Sequence, residues 1–330
     1  MVFIKIIDGL VDDEPRADKE KHENCENRHK ISFFDRPDTS AQNIIGINTY
    51  QLDIIKEKHG PSINSRYIFL KKLSDGSASK LYVATDTFSK KEVIIKKISK
   101  KEDWRLELRI LKILKEAKAS SLLKYLDFYE NYRFAYIVTA YYNGFDLFEH
   151  IDINVPYSEY RAKELFIKML HCTRECHNLN IAHLDIKCEN YLYTKDKKII
   201  LIDFGHAEIM CSTGSGLTDQ ISIKNRYIIK KGSSNYGTCF YLAPEGYHRF
   251  YSMYSDIWSL GICFYLLLTG EYPFAGDDDE YSANVYKGLI NFSTKVPDKA
   301  LNIIKMCLNY DPRLRPTIYQ LLEHKYFLET

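Results

Sequence analysis

The run from His183 to Gly205 constrains this chain more than any other. It holds His183, Asp185, Lys187 and Asn190 in the order H-x-D-x-K-x-x-N. A second Asp follows 18 residues after Asp185, in Asp203-Phe204-Gly205. Between the two, Lys197 to Ile202 is largely apolar and β-branched, which predicts a strand. The chemistry of these groups is specific. One carboxylate can accept a proton from an attacking hydroxyl. A carboxylate and an amide are hard oxygen donors that can hold a divalent cation. A lysine can neutralise a transferring phosphoryl group. A single Asp more often caps a turn or faces water, but the joint order and spacing argue against coincidence.

Composition narrows the partners. The 330 residues include 46 basic and 44 acidic side chains, a net charge of only +2, which gives no reason to propose nucleic acid or an anionic membrane. The longest apolar run, Ile257 to Leu268, is too short to span a bilayer and predicts a buried helix instead. The apolar start, Val2 to Ile7, is interrupted by Lys5 and too short for a signal peptide, and Val2 excludes N-myristoylation. Eight cysteines without CxxC pairs fit reduced thiols, hence a cytoplasmic or nuclear location.

Residues 1–64 read as an extension. Asp12 to Lys30 is dense in charge and predicts a solvated or disordered segment. Val2 to Ile7 predicts a strand, and Tyr50 to His59 a short helix stopped by Gly60-Pro61. The extension is either a variable tail or an arm that packs on the domain or recruits a regulatory partner. Tyr67 to Thr87 then predicts strand, turn, strand, with Leu73, Leu81 and Val83 around a small-residue turn holding Ser74, Gly76 and Ser79. Glu92 to Ile98 is a further strand, with Lys96 and Lys97 on opposite faces. Trp104 to Ala117 is an amphipathic helix with Leu106, Ile110, Leu111 and Leu114 on one face. Leu122 to Tyr129 and Phe134 to Thr139 are strands, and Tyr157 to Asn178 is a helix. That last helix carries His171, Cys172, Glu175, Cys176 and His177 at metal-like spacings, but a core or surface helix face is the better reading.

Together these motifs resemble the eukaryotic protein kinase superfamily, as a divergent serine/threonine kinase of the non-RD type, over about residues 66–328. The resemblance implies an α+β, bilobal fold. The small lobe, residues 65–142 with the hinge, would be an antiparallel sheet with one helix, and the large lobe, residues 143–330, mainly helical. It implies ATP and Mg²⁺ as cofactors and protein Ser/Thr hydroxyls as acceptors. Asp185 would be the catalytic base, Lys187 would stabilise the γ-phosphoryl charge, and Asn190 and Asp203 would hold Mg²⁺. Val93-Ile94-Ile95-Lys96 matches V-A-I-K, making Lys96 the ligand of the α- and β-phosphates, with Glu107 as its partner and Glu116 a weaker substitute. The 11-residue gap from Lys96 to Glu107 is short for the family and implies a helix lacking its first turns.

The nucleotide site would be lined by Leu73, Ser74, Gly76, Ser79 and Leu81 from the lid, by Ile94, by Thr139 as gatekeeper, and by Ala140, Tyr141 and Tyr142 of the hinge. Leu192 would pack under the adenine. Asp146 would bond the ribose or start a helix. Asp256, in D-x-W-x-x-G, would anchor the catalytic loop, and Arg315 would pair with Glu245. Several positions depart from the family. Only the middle glycine of the lid remains, Ile94 replaces Ala, and Leu184 replaces the H-R-D arginine that in many kinases binds an activation-loop phosphate. The segment from Asp203 to Glu245 is enlarged; Thr238 within it, like Lys187, favours Ser/Thr acceptors. Glu189 implies a weak preference for basic substrates, although Leu266 stands where a second acid would help. The alternative is a weakly active or inactive pseudokinase serving as a scaffold.

Overall fold

The computed structural model describes residues 63 and 65–328, except 76–78, 155, 211–238, 275, 289 and 291. Residues 1–62, most of the enlarged segment with Thr238, and the lid glycine Gly76 therefore lie outside the described residues.

The small lobe begins with β1 (Tyr67–Asp75), β2 (Ser79–Asp86) and β3 (Glu92–Ser99). After α1 (Arg105–Glu116) come β4 (Tyr125–Glu130) and β5 (Phe134–Ala140). The five strands form one antiparallel sheet in the order β1-β2-β3-β5-β4. Period-two alternation sorts the side chains. Tyr67, Phe69, Tyr82, Ile95, Tyr136 and Val138 make one buried cluster. Ile98, Ala135 and Ile137 join another, against Leu108, Ile110, Leu111 and Leu114 of α1. The helix keeps the apolar spacing read from its sequence, and its polar side faces water. Arg66 ties the edge of this lobe together: its guanidinium donates to Asp86 at 3.1 Å and to Asp127 at 2.6 Å.

The large lobe opens with β6 (Gly144–Asp146), α2 (Leu147–Asn154) and α3 (Glu159–Asn178). Ser158 caps α3, accepting the N–H of Arg161. Two short sheets follow: β7 (Ile181–Ala182) with β10 (Glu208–Ile209), and β8 (Tyr191–Thr194) between β6 and β9 (Ile199–Leu201). β9 is the strand expected between the two acidic motifs. The long helix α4 (Met253–Thr269) is buried along almost its whole length. A capping box of Ser252 and Ser255 starts it, and Gly270 at φ +76° ends it in the left-handed conformation that glycine adopts freely. Phe166 of α3 stacks on Phe264 of α4 with ring centres 4.3 Å apart. The helices α5 (Asp278–Lys287), α6 (Asp298–Cys307), α7 (Ile318–Leu322) and α8 (Lys325–Leu328) complete the lobe. Among the described residues no helix is long and apolar enough to cross a membrane.

Arg315 is the internal lock of this lobe. Its Nη1 and Nη2 donate to the two oxygens of Glu245, each at 2.8 Å, with both side chains buried. The remaining donors reach the carbonyl oxygens of Asn309, Tyr254 and Tyr310. Ser255 adds a 2.9 Å bond to Glu245, so the buried charges are fully surrounded by partners.

Candidate active site

The loop after β7 is fixed from below. Asp256, fully buried on α4, accepts the backbone N–H of His183 at 2.9 Å and of Leu184 at 2.8 Å. His177 of α3 contacts the same carboxylate at 2.9 Å through Nε2. Three of the five residues at metal-like spacings on that helix are thus engaged structurally: His177 here, Cys172 on the carbonyl of Ile199, and Glu175 on the N–H of Ser121. His183 lies edge-on to Phe204, ring centres 5.0 Å apart, and its Nε2 reaches the carbonyl of Ile202 at 3.0 Å. Burial pushes its pKa down, so the ring is neutral and carries its proton on Nε2 to make that bond.

Asp185 emerges from this anchored loop with its carboxylate buried. Its Oδ2 accepts from Lys187 Nζ at 2.8 Å and from Asn190 Nδ2 at 3.0 Å. Burial works against the carboxylate, but the ammonium of Lys187 outweighs it and holds the pKa below the ordinary aspartate value. Asp185 is therefore ionised and able to accept a proton. Asn190 donates also to the Asp185 carbonyl at 2.7 Å. Both bonds use its amide nitrogen, leaving the amide oxygen as the atom suited to a hard cation.

A second ionic cluster adjoins the first where the Ile202 N–H, next to Asp203, donates to the Asn190 carbonyl at 2.9 Å. Lys96 of β3 donates from Nζ to Glu107 at 2.8 Å and to Asp203 at 3.0 Å. Burial alone would lower the lysine, but the two carboxylates outweigh it and keep its pKa above the usual value. The charge on Lys96 in turn holds Asp203 well below the carboxylate range. Burial pushes Glu107 up, and the ammonium opposes this. Asp203 adopts φ +59°, a conformation Asp tolerates better than bulkier residues, and remains open to solvent on its carboxylate side. Gly205 leaves the space beside it: a Cβ there would lie 3.2 Å from both Asp203 Oδ1 and Lys96 Nζ. An open carboxylate, an amide oxygen and a lysine around a cradle that a methyl group would crowd fit a metal-bound polyphosphate.

Glu107 holds Lys96 from the first turn of α1, and Glu116 sits at the far end of that helix. Lys97 lies on the other face, its ammonium 4.4 Å from the centre of the Phe134 ring. The remaining lining residues fall along the strands expected for them. Leu73 and Ser74 lie exposed near the end of β1, with Ser74 paired to Leu81, and Ser79 starts β2. Ile94 pairs with Val83 on one side and with Thr139 on the other. Thr139 is buried, and Ala140 ends β5 with its N–H donated to the carbonyl of Lys124. Tyr142 accepts the Lys124 N–H on its hydroxyl. Leu192 is half-buried on β8, opposite Asp146. Asp146 itself accepts the N–H of Glu149 at 2.8 Å, so its helix-starting role is realised.

Three contacts beside the site were not read from the sequence. His206 places Nδ1 3.8 Å from the Asp185 carboxylate. Tyr241 donates its hydroxyl to Glu189 at 3.1 Å. Leu184, where an arginine was absent, enters a buried apolar cluster with Ala182, Met210 and Tyr251. Each pairing joins residues distant in the chain or uses a residue type without a motif.

A model of the protein kinase domain matches residues 67–327. The chain is also similar to calcium-dependent protein kinase 5 of Plasmodium falciparum (isolate 3D7), 32% identical over 305 residues, covering 89% of this chain and 49% of that protein. Calcium-dependent protein kinase 4 of Plasmodium berghei (strain Anka) is 31% identical over 277 residues, covering 80% and 49%. Calcium-dependent protein kinase 7 of Oryza sativa subsp. japonica is 29% identical over 301 residues, covering 86% and 52%. The chain thus spans about half the length of the curated relatives it matches.

Proposed function

The chain belongs to the protein kinase domain family, and from that premise we propose that it is a serine/threonine protein kinase using Mg²⁺ and ATP. The observation that carries the reading is the convergence of two ionic groups, Asp185–Lys187–Asn190 and Lys96–Glu107–Asp203, from distant parts of the chain. ATP supplies the phosphoryl group and the cation supplies charge neutralisation. The rest falls to the chain. Asp185, ionised beside Lys187, orients an acceptor hydroxyl and takes its proton at Oδ. Lys187 places positive charge where the transferring group becomes more negative. Asn190 and Asp203 would offer the oxygen atoms for the cation, and Lys96, held by Glu107, would contact the α- and β-phosphates. In this reading the base, sugar and phosphates would be lined by Leu73, Ser74, Ser79, Leu81, Ile94, Thr139, Ala140, Tyr142, Asp146 and Leu192, and the family resemblance adds Gly76, which lies outside the described residues.

Lys187 and Thr238 support Ser/Thr over Tyr acceptors in this reading, and half-buried Glu189 supports a modest preference for basic sequences. Five of the six described cysteines are buried free thiols, which supports a reducing cytoplasmic or nuclear location. The extension, residues 1–64, is the proposed place for a regulatory partner. Phosphoamino-acid analysis of a generic protein labelled from ATP tests the acceptor class. Phosphoserine and phosphothreonine are expected; label confined to tyrosine would overturn it.

A further inference from the structure

The helix that delivers Glu107 starts in an unusual way. α1 begins at Arg105, so Glu107 is in its first turn, where backbone N–H groups lack partners inside the helix and fraying is greatest. The cap residue, Trp104, makes no side-chain bond to those groups. Its carbonyl does accept the N–H of Leu108 at 3.2 Å, which places Trp104 at the base of the helix ladder. Its indole is 6% exposed and stacks on Phe128 of β4, with centres 5.1 Å apart and planes 20° from parallel. The Arg105 guanidinium lies 4.7 Å from the centre of the same ring. One residue thus joins the start of the helix to the sheet, three positions before the glutamate that must meet Lys96.

We propose that Trp104 is the positioning residue for Glu107: its stack on Phe128 sets the height and rotation of α1 so that the carboxylate reaches Lys96. This rests on the phosphoryl-transfer reading of the site. Each residue of helix adds about 1.5 Å along the axis, so a slip of one residue is enough to break a 2.8 Å ion pair. Additional N-terminal turns would supply this restraint by packing; α1 lacks them, and the aromatic stack supplies it from the cap position. The ring and backbone contacts that fix Trp104 are with Phe128, Arg105 and Leu108, so its effect on the reaction passes through Glu107.

The test compares the wild type with Trp104→Phe, Trp104→Ala, Glu107→Gln and the Trp104→Ala/Glu107→Gln pair. The readouts are transfer kinetics, Mg-ATP affinity, melting temperature and amide exchange across residues 105–111. Trp104→Ala is expected to speed exchange at Glu107 to Ile110 and to lower kcat/KM about tenfold or more, since small displacements at a reacting centre are costly. Trp104→Phe keeps a ring for Phe128 and is expected to stay within about threefold of wild type. In the Glu107→Gln background, Trp104→Ala should change kcat/KM by less than about twofold while lowering the melting temperature as before. Equal factors in both backgrounds overturn the proposal and leave Trp104 an ordinary core residue. If Trp104→Ala does not fold, Phe128→Leu removes the stack from the sheet side and must reproduce the loss; wild-type kinetics there overturn it too. A wild type that transfers no phosphoryl group refutes the kinase reading separately. The positioning claim is then decided by whether Trp104→Ala, but not Trp104→Phe, loosens residues 105–111 and weakens Mg-ATP binding; unchanged exchange and affinity overturn it.

Discussion

Asp256 accepts the backbone N–H of Leu184 at 2.8 Å, at a residue whose φ is +61°. A bulky residue in the left-handed region is strained and persists only when its surroundings hold it there. Here the holder is a buried carboxylate on α4 that also takes the N–H of His183. The bend it stabilises is the one that presents Asp185. Replacing Asp256 with Ala strands two buried N–H groups and should cost about 2–5 kcal/mol of stability. Asp256→Asn keeps an acceptor and should cost less. Urea unfolding measures both; a loss below about 1 kcal/mol for the alanine variant would contradict the anchoring role.

Leu184 also bears on whether the loop depends on phosphate. It is 7% exposed and packed against Met210, within the enlarged segment, and Tyr251, beyond its end. A leucine offers no positive charge to a phosphate, so apolar contact replaces charge pairing at this position. The expected outcome is that phosphatase-treated protein, verified by mass spectrometry, keeps at least about half its activity, because no charge-assisted pair is lost here. Loss of most activity on dephosphorylation would count against it.

The buried pair of Arg315 and Glu245 offers a test of structure without chemistry. Arg315→Ala leaves a buried carboxylate with Ser255 as its one remaining side-chain partner among the described residues and should destabilise by roughly 3–5 kcal/mol. Arg315→Lys should recover little. One ammonium cannot match a planar guanidinium that serves two carboxylate oxygens and three carbonyl groups. Equilibrium denaturation of the two variants distinguishes this from a surface ion pair, whose removal would barely register.

Acid sensitivity should be traceable to Asp86. The Arg66 guanidinium beside it, helped by Phe88 N–H and the Ser89 hydroxyl, lowers its pKa from 3.8 to about 2. A folded pKa below the unfolded value means the folded state binds fewer protons than the unfolded state in this range. The stabilisation is therefore complete above the unfolded value and is lost as pH falls from about 4 to about 2. The stability difference between wild type and Asp86→Asn should be constant near neutrality and shrink across that window. A difference independent of pH would exclude the Arg66–Asp86 pair as its source.

What could be read from the chain divides by sequence distance. Asp185, Lys187 and Asn190 lie within one short loop, and Asp203 follows one strand later, so local spacing was enough to group them. The strands and α1 were legible from apolar periodicity, including the shortened start implied by the gap between Lys96 and Glu107. Asp146 was ambiguous because one carboxylate type serves ribose binding and helix capping alike; the bond to Glu149 shows the second role. The contacts of Trp104 with Phe128, Arg66 with Asp127, and Tyr241 with Glu189 were invisible. They join distant residues through burial and ring geometry, which leave no spacing rule in the sequence.

If Asp185 and Lys96 act in phosphoryl transfer as proposed, removing either must nearly abolish it. The most direct measurement is the initial rate of label transfer from radiolabelled Mg-ATP to a generic protein, comparing wild type with Asp185→Asn and Lys96→Met at equal folded concentration. Wild type should label the acceptor, and each variant should fall by about a hundredfold or more, as expected when a base or a phosphate ligand is removed. Equal rates in all three proteins, or no transfer by any of them, would contradict the claim.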